Sequence, residues 1–580
     1  MAWQSRPKSG VLGDRLAILR IVFAVFAVAV ATKVGFLMII HHGFYAALAQ
    51  DQHQLSEELV PTRGQILVHD SATASGTYPL AANKTLHLLY AIPKQIQDPT
   101  GEANTLKPYV TLSIEDLLKR LDKPNDLYEP IQHYLTDDQM KTIADLKLPG
   151  LAFADETTRY YPEQNTGAQL LGFVGYKGDT KVGRYGVEEA EEKLLAGQQG
   201  FIKAEKDASG QLIASAAEFW QPAINGSNVL LTIDRSVEFE ACRQLNDAVQ
   251  KHGATGGSVL IMNPKTGAII AMCGAPDFNP NDYSSVTDAN DFLNAATQIT
   301  YEPGSIFKAF TMAAAIDAGK ITPDTTYNDT GEVKVGTFTI KNSDLKAHGV
   351  QTMTYVLQES LNTGAIFAMQ QIGAASFYQY VQKFGFGVRS GIGIPESAGN
   401  ISPLATGKDI YAMTGSFGQG ITVTPLQILA AYGALANGGV LMKPYVIDQV
   451  IHPDGTIDTT KPETVRQVIS AKAASLVDGM LVNVVVNGHG KKAAVPGYFV
   501  AGKTGTAQVP DPNGSGYLKN VTIGTFAGFA PVEDPQFVMV VKIDKPKDVQ
   551  FAESSAAPLF GTLAKFLLSY YNVQPTNPSK

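Results

Sequence analysis

Apolar residues first cluster at positions 21–32, IVFAVFAVAVAT, and resume after Lys33 as VGFLMII, ending at Ile40. Together the two runs approach the ~20 residues that a helix needs to cross a bilayer. Lys33 lies toward the far end, where its stem can snorkel outward. From there to about residue 225 the pattern is mixed and polar. TLSIEDLLKRL within it has the spacing of a short amphipathic helix. The glycines of LLGFVGYKGDTKVGRYGVEEAEEKLLAGQQG predict tight turns between short helices and strands. The character changes again at Asn228. VLLTID predicts a strand, and SVEFEACRQLNDAVQKHG an amphipathic helix that stops at Gly253. SVLIM and AIIAM flank Asn263-Pro264-Lys265-Thr266-Gly267 as the arms of a hairpin. Thr424-Pro425 opens a helix with a threonine cap and a proline at its first position. The rest of the pattern reads strand (498–509), strand (521–532), strand (536–543) and helix (556–571), with turns at 511–516 and 533–535. Connections this short favour antiparallel neighbours, so the expected class is α+β, an antiparallel sheet packed by helices.

Composition adds limits rather than detail. The chain has 580 residues, 44% of them hydrophobic and 17% charged, which is ordinary for a folded protein and too long for one compact core. A net charge of −8 leaves no electrostatic footprint for a nucleic-acid partner. Cys242 and Cys273 match neither a zinc spacing nor a disulfide framework. One bridge between them is a reading, and buried free thiols are the favoured one. Arg6, Lys8, Arg15 and Arg20 precede the apolar run, so the positive-inside rule puts the N-terminus in the cytoplasm and the bulk of the chain outside. Ala47-Leu48-Ala49 looks like a leader-cleavage site, but it lies far past the apolar core, which favours a retained single-pass anchor in the cytoplasmic membrane. The expected division is a cytoplasmic tail 1–15, a transmembrane helix 16–40, a non-catalytic pedestal 41–225 and a catalytic region 226–580.

The candidate chemistry sits in three short stretches. YEPGSIFK puts Ser305 directly after a Pro-Gly breaker and Lys308 three residues on. At that spacing on a helix the amine and the hydroxyl share a face, and a helix N-terminus favours developing negative charge. A lysine kept neutral by burial or by a neighbouring cation can then act as the base that histidine supplies elsewhere. Ser-x-x-Lys recurs at Ser5–Lys8 and Ser343–Lys346, so the spacing alone decides nothing. Order decides more. Ser360-Leu361-Asn362 follows, within the helically periodic TYVLQESLNTGAIFAMQQ. Lys503-Thr504-Gly505-Thr506 comes last, in a strand whose alternation sends Lys503 and Gly505 to one face and both threonines to the other. A second Lys-Thr-Gly, at 265–267, belongs to the hairpin turn.

This ordered set resembles that of the penicillin-binding serine acyltransferases, which also include serine β-lactamases, and above all the class B, monofunctional transpeptidase branch. YEPGSIFK is similar to that branch's nucleophile segment, with Ile306 where threonine is usual. SFGQGITVTPLQILAAYGALANGG resembles the stretch between its second and third motifs. PTRGQILVHD, RYYPEQNTGAQLLGFVG and GRYGVEEAEEKLLAG resemble its pedestal, although His69-Asp70 replaces the usual acidic-basic pair. The resemblance implies a transpeptidase domain of the β-lactamase-like fold, with a helical subdomain, over 226–580, and a dimerisation-like pedestal before it. It implies that Ser305 attacks a peptidoglycan stem peptide ending in D-Ala-D-Ala, with Lys308 as base, and that Ser360 and Lys503 relay a proton to the departing D-alanine. Asn362 would hold the substrate backbone, the N–H groups of Ser305 and Thr506 would form the oxyanion hole, and Thr504, Gly505 and Thr506 would bind the terminal carboxylate beside Lys503. It implies no metal and no organic cofactor, β-lactams as covalent inhibitors, and a multi-spanning membrane glycosyltransferase with other divisome or elongation proteins as partners.

Other readings share the motifs. A β-lactamase or D,D-carboxypeptidase must activate water, for which class A β-lactamases carry a glutamate in a separate loop. A non-catalytic β-lactam sensor is expected to carry an intracellular signalling module, whereas about 15 residues precede the anchor; an inactive division scaffold is expected to lose the motif lysines, and all are present. The moderate pedestal and the end of the chain soon after the last helix favour a septal over a side-wall role.

Overall fold

The computed structural model describes residues 11–42, 54–178, 180–206, 212–511, 514 and 516–576. Ser5–Lys8, most of the proposed tail, the Ala47-Leu48-Ala49 site and part of the 511–516 turn lie outside them. The described residues divide into two compact units, one drawn from residues 1–61 and 198–224, the other from 62–197 and 225–580.

The first unit holds a helix, Val11–Gly35, that continues as a wider turn over Phe36–Ile40. Leu16–Ile40 is long and apolar enough to cross a membrane. Its side chains are exposed on every side, Phe23 at 66% and Ile39 at 81%, a pattern compatible with a single-pass membrane anchor. Three antiparallel strands, Gln54–Leu59, Gly200–Lys206 and Leu212–Gln221, complete this unit.

The second unit is built on a five-stranded antiparallel sheet. Its strands in chain order are β1 (Gly256–Met262), β2 (Ile269–Ala275), β3 (Ala501–Pro510), β4 (Tyr517–Ala530) and β5 (Phe537–Asp544), and they lie side by side as β2-β1-β5-β4-β3. Alternation fixes the two faces. Phe537, Met539, Val541 and Ile543 pack under helices α1 (Arg235–Lys251) and α7 (Ala556–Tyr570), whereas Val538 and Val540 face the opposite core. That second core contains α2 (Lys308–Asp317), α3 (Met353–Gln358), α4 (Asn362–Ile372), α5 (Pro425–Ala436) and α6 (Ala471–Asn487). α5 begins as its sequence predicts: Thr424 caps it and exchanges bonds with Gln427 in a capping box.

A further sheet runs through residues 62–197. Its parallel junction pairs Ile66–His69 with Asn228–Asp234, which leads directly into α1. The Glu188 carboxylate is fully buried there between Arg63 and Arg159, at 2.6 and 2.7 Å, and Arg159 also donates to the Gly64 carbonyl at 2.7 Å.

The free-thiol expectation is overturned. Cys242 on α1 and Cys273 on β2 form a disulfide, because α1 lies across the sheet and brings their Cα atoms to 5.2 Å. Their separation of 31 residues carried no sign of that crossing. The 265–267 Lys-Thr-Gly occupies the hairpin turn as expected, with Gly267 at φ +85° and Lys265 paired to Asp534.

Candidate active site

Ser305 lies in a single 3₁₀ turn, Gly304–Phe307, that runs into α2. The turn is gripped from several directions. Gly304, at φ +59°, donates its N–H to the Gly418 carbonyl at 3.0 Å, the buried Tyr432 hydroxyl of α5 bonds the Ile306 carbonyl at 2.8 Å, and Thr311 bonds the Ser416 carbonyl at 2.7 Å. On its other side the turn lies against β3. A methyl group added to Gly505 would come within 2.9 Å of both the Pro303 carbonyl and the Ile306 side chain, and one on Gly304 within 3.2 Å of the Thr506 carbonyl. Glycine is needed at both places so that turn and strand can touch.

Ser360 does not continue a helix, although its neighbourhood has helical periodicity. It sits in the break between α3 and α4 at φ +59°, an unusual conformation for a residue with a side chain. There its hydroxyl bridges two amines: Lys308 Nζ lies at 3.2 Å and Lys503 Nζ at 3.1 Å. Lys308 also donates to the Ser360 carbonyl, and Lys503 to the Thr504 carbonyl at 3.1 Å and hydroxyl at 3.3 Å. The three motifs are therefore linked through one oxygen atom. The Lys308 amine bonds Ser360 rather than Ser305, whose hydroxyl takes no partner among the described residues.

Both lysines are completely buried, and neither forms an ion pair among the described residues. Burial is the main cause that holds Lys308 well below the usual lysine range, and the adjacent Lys503 charge lowers it further. Burial brings Lys503 down to about 7, opposed by the Glu359 carboxylate. A neutral Lys308 beside a more readily charged Lys503 is a base next to a proton donor.

The remaining expected residues lie around this centre. Asn362 opens α4 and gives an amide hydrogen to the Lys341 carbonyl at 2.9 Å. Thr504 accepts from Lys503, and Thr506 accepts from the Ala552 N–H at 3.1 Å, so each hydroxyl keeps its own hydrogen to donate. β3 is the last strand of its sheet, and its outer edge offers unpaired backbone groups to an extended ligand. Sequence reasoning missed Glu302, Glu359 and Tyr432. Glu302 stood inside a quoted motif, but only the fold reveals what it holds.

The chain matches the family model of the penicillin-binding protein transpeptidase domain over residues 257–565, and that of the penicillin-binding protein dimerisation domain over 58–231. It is 33% identical to the stage V sporulation protein D of Bacillus subtilis, over 94% of this chain and 84% of that one. It is 29% identical to the peptidoglycan D,D-transpeptidase FtsI of Escherichia coli, over 86% and 82%. Among solved structures it superposes on penicillin-binding protein 3 of Mycobacterium tuberculosis complexed with aztreonam, with a TM-score of 0.69, 26% identity and coverage of 90% and 99%.

Proposed function

The chain belongs to the class B penicillin-binding protein transpeptidases, and from that premise we propose that it cross-links peptidoglycan by acyl transfer through Ser305. The observation that carries the reading is the Ser360 hydroxyl, held at once by Lys308 and Lys503 beside the nucleophile's turn. Ser305 Oγ attacks the carbonyl of the penultimate D-alanine while its proton passes to neutral Lys308. The oxyanion that forms is met by the N–H groups of Ser305 and Thr506, each such donor being worth about 3 kcal/mol. The peptide C–N bond then breaks, and a proton from the Lys308–Ser360–Lys503 group goes to the leaving D-alanine nitrogen. An amine from a neighbouring stem peptide attacks the ester, forms the cross-link and returns the proton to Ser305. Lys503, Thr504 and Thr506 hold the terminal carboxylate, Gly505 keeps the wall flat, and Asn362 steadies the peptide backbone.

Residues 16–40 anchor the protein in the cytoplasmic membrane with the tail inside, as the basic residues before them favour. The segment 41–225 serves as pedestal and 226–580 as catalytic domain. A multi-spanning glycosyltransferase that supplies the glycan strand is the partner this arrangement fits, and septal wall synthesis is the process. Intact-mass analysis with benzylpenicillin tests the reading. The protein should gain one penicilloyl adduct, and Ser305→Ala should gain none. An adduct on Ser305→Ala would refute it.

A further inference from the structure

Glu302, three residues before the nucleophile, is a buried carboxylate, 9% exposed, with no ion pair among the described residues. Removing such a charge from water costs several kcal/mol unless donors replace the solvent. Two donors do so, and they come from different parts of the fold. The Gly420 N–H reaches Oε1 at 3.1 Å from the 416–420 loop, and the Tyr517 hydroxyl reaches Oε2 at 3.0 Å from β4. Burial pushes the Glu302 carboxyl up, and these two donors pull it back toward its ionised form. Tyr517 is raised by burial and by that same carboxylate, so the phenol keeps the proton it donates.

Tyr517 pairs with Pro510, at the projecting end of the β3–β4 hairpin and four residues beyond Thr506. Pairing is weak at that end: the register shifts between Gln508 and Pro510, and a proline has no N–H to give. The Glu302–Tyr517 bond falls where the ladder is weakest, and a longer contact of 3.5 Å between Gln419 and Gln508 lies on the same side. One oxyanion donor belongs to the turn that Glu302 leads into and the other to the strand paired with the arm that Tyr517 begins.

We infer that Glu302 is a positioning residue that, through Tyr517, clamps the hairpin arm to the nucleophile's turn and so sets the spacing between the Ser305 and Thr506 N–H groups. The inference rests on the acyl-transfer reading above. It concerns the rate of acylation, not the ability to bind.

The test is rapid-mixing kinetics of the full-length protein with a fluorescent penicillin, separating the pre-acylation dissociation constant from the acylation rate constant. Glu302→Ala and Tyr517→Phe should each lower the acylation rate constant about tenfold, with the dissociation constant unchanged within about twofold. The double variant should be no slower than Glu302→Ala alone. Glu302→Gln keeps a single acceptor oxygen, placed where Oε1 takes the Gly420 N–H at 3.1 Å and the Tyr517 hydroxyl at 3.3 Å, and should recover part of the rate. The Tyr517 side carries the test even if Glu302→Ala folds poorly, because this residue is 38% exposed and loses only a hydroxyl. An unchanged rate in Tyr517→Phe, additive losses, or a change confined to the dissociation constant would each overturn the clamp while leaving the acyl-transfer reading intact. A wild-type protein that is never acylated would overturn both.

Discussion

At the scale of single residues, the proposed acyl transfer depends on which of two buried amines carries a proton. Lys308 is pushed toward its neutral form first by burial and second by the Lys503 charge beside it. Removing the neighbouring charge must therefore raise the Lys308 pKa. Acylation needs the free base, so its rate falls as pH drops through that pKa. Lys503→Met should move this acid limb to higher pH, as a pH profile of fluorescent-penicillin acylation would show; a limb that stayed in place would remove Lys503 from its electrostatic role. The same depressed pKa values mean that the unfolded chain binds more protons than the folded one between about pH 7 and the ordinary lysine value near 10. These two lysines therefore make the fold more stable as pH rises through that window. That the stretches holding Ser305, Lys308 and Lys503 belong together was legible in the sequence, because order and spacing survive in one dimension. The sequence did not disclose that Ser360 is the shared atom, because periodicity hid the left-handed break that turns its hydroxyl between the amines.

At the scale of elements, the disulfide fastens α1 to the β2 edge of the catalytic sheet, on the face away from Ser305. Closing a loop of 31 residues removes enough freedom from the unfolded chain to be worth about 3.7 kcal/mol. Changing both Cys242 and Cys273 to serine should lower the denaturation midpoint by a corresponding amount, while acylation of the folded protein by penicillin keeps its rate. A matching loss of acylation would mean that α1 reaches the site. Strands and caps were legible here: the 498–543 pattern gave three strands, and Thr424-Pro425 gave the start of α5. Their boundaries drifted, with β4 beginning at Tyr517 rather than near 521, because the hairpin arm projects past the core and carries no buried alternation to reveal it. The cysteine pairing was hidden for the related reason that it depends on how a helix crosses a sheet.

At the scale of the molecule, residues 62–197 and 225–580 pack as one unit, joined by a parallel strand pair and by Arg235, which pairs with Asp70 and Glu163, while the Glu188 network holds 62–197 itself together. Glu188→Gln would leave Arg159 and part of Arg63 without a counter-charge in a buried place, at a cost of about 3–5 kcal/mol. Chemical denaturation should read that loss directly, with penicilloylation of the remaining folded protein unchanged; a stability equal to wild type would make the network dispensable. Arg63, Arg159 and Glu188 each lie in a stretch that resembles the family's pedestal, yet Glu188 is 125 and 29 residues from the two arginines, so only the fold shows that they meet. The glycine contact between turn and strand has a consequence for how such a protein can evolve under antibiotic pressure. Any side chain large enough to crowd a drug at Gly304 or Gly505 would first wedge the nucleophile away from its own wall. Escape by way of either glycine would therefore forfeit the very contact that seats the attacking hydroxyl.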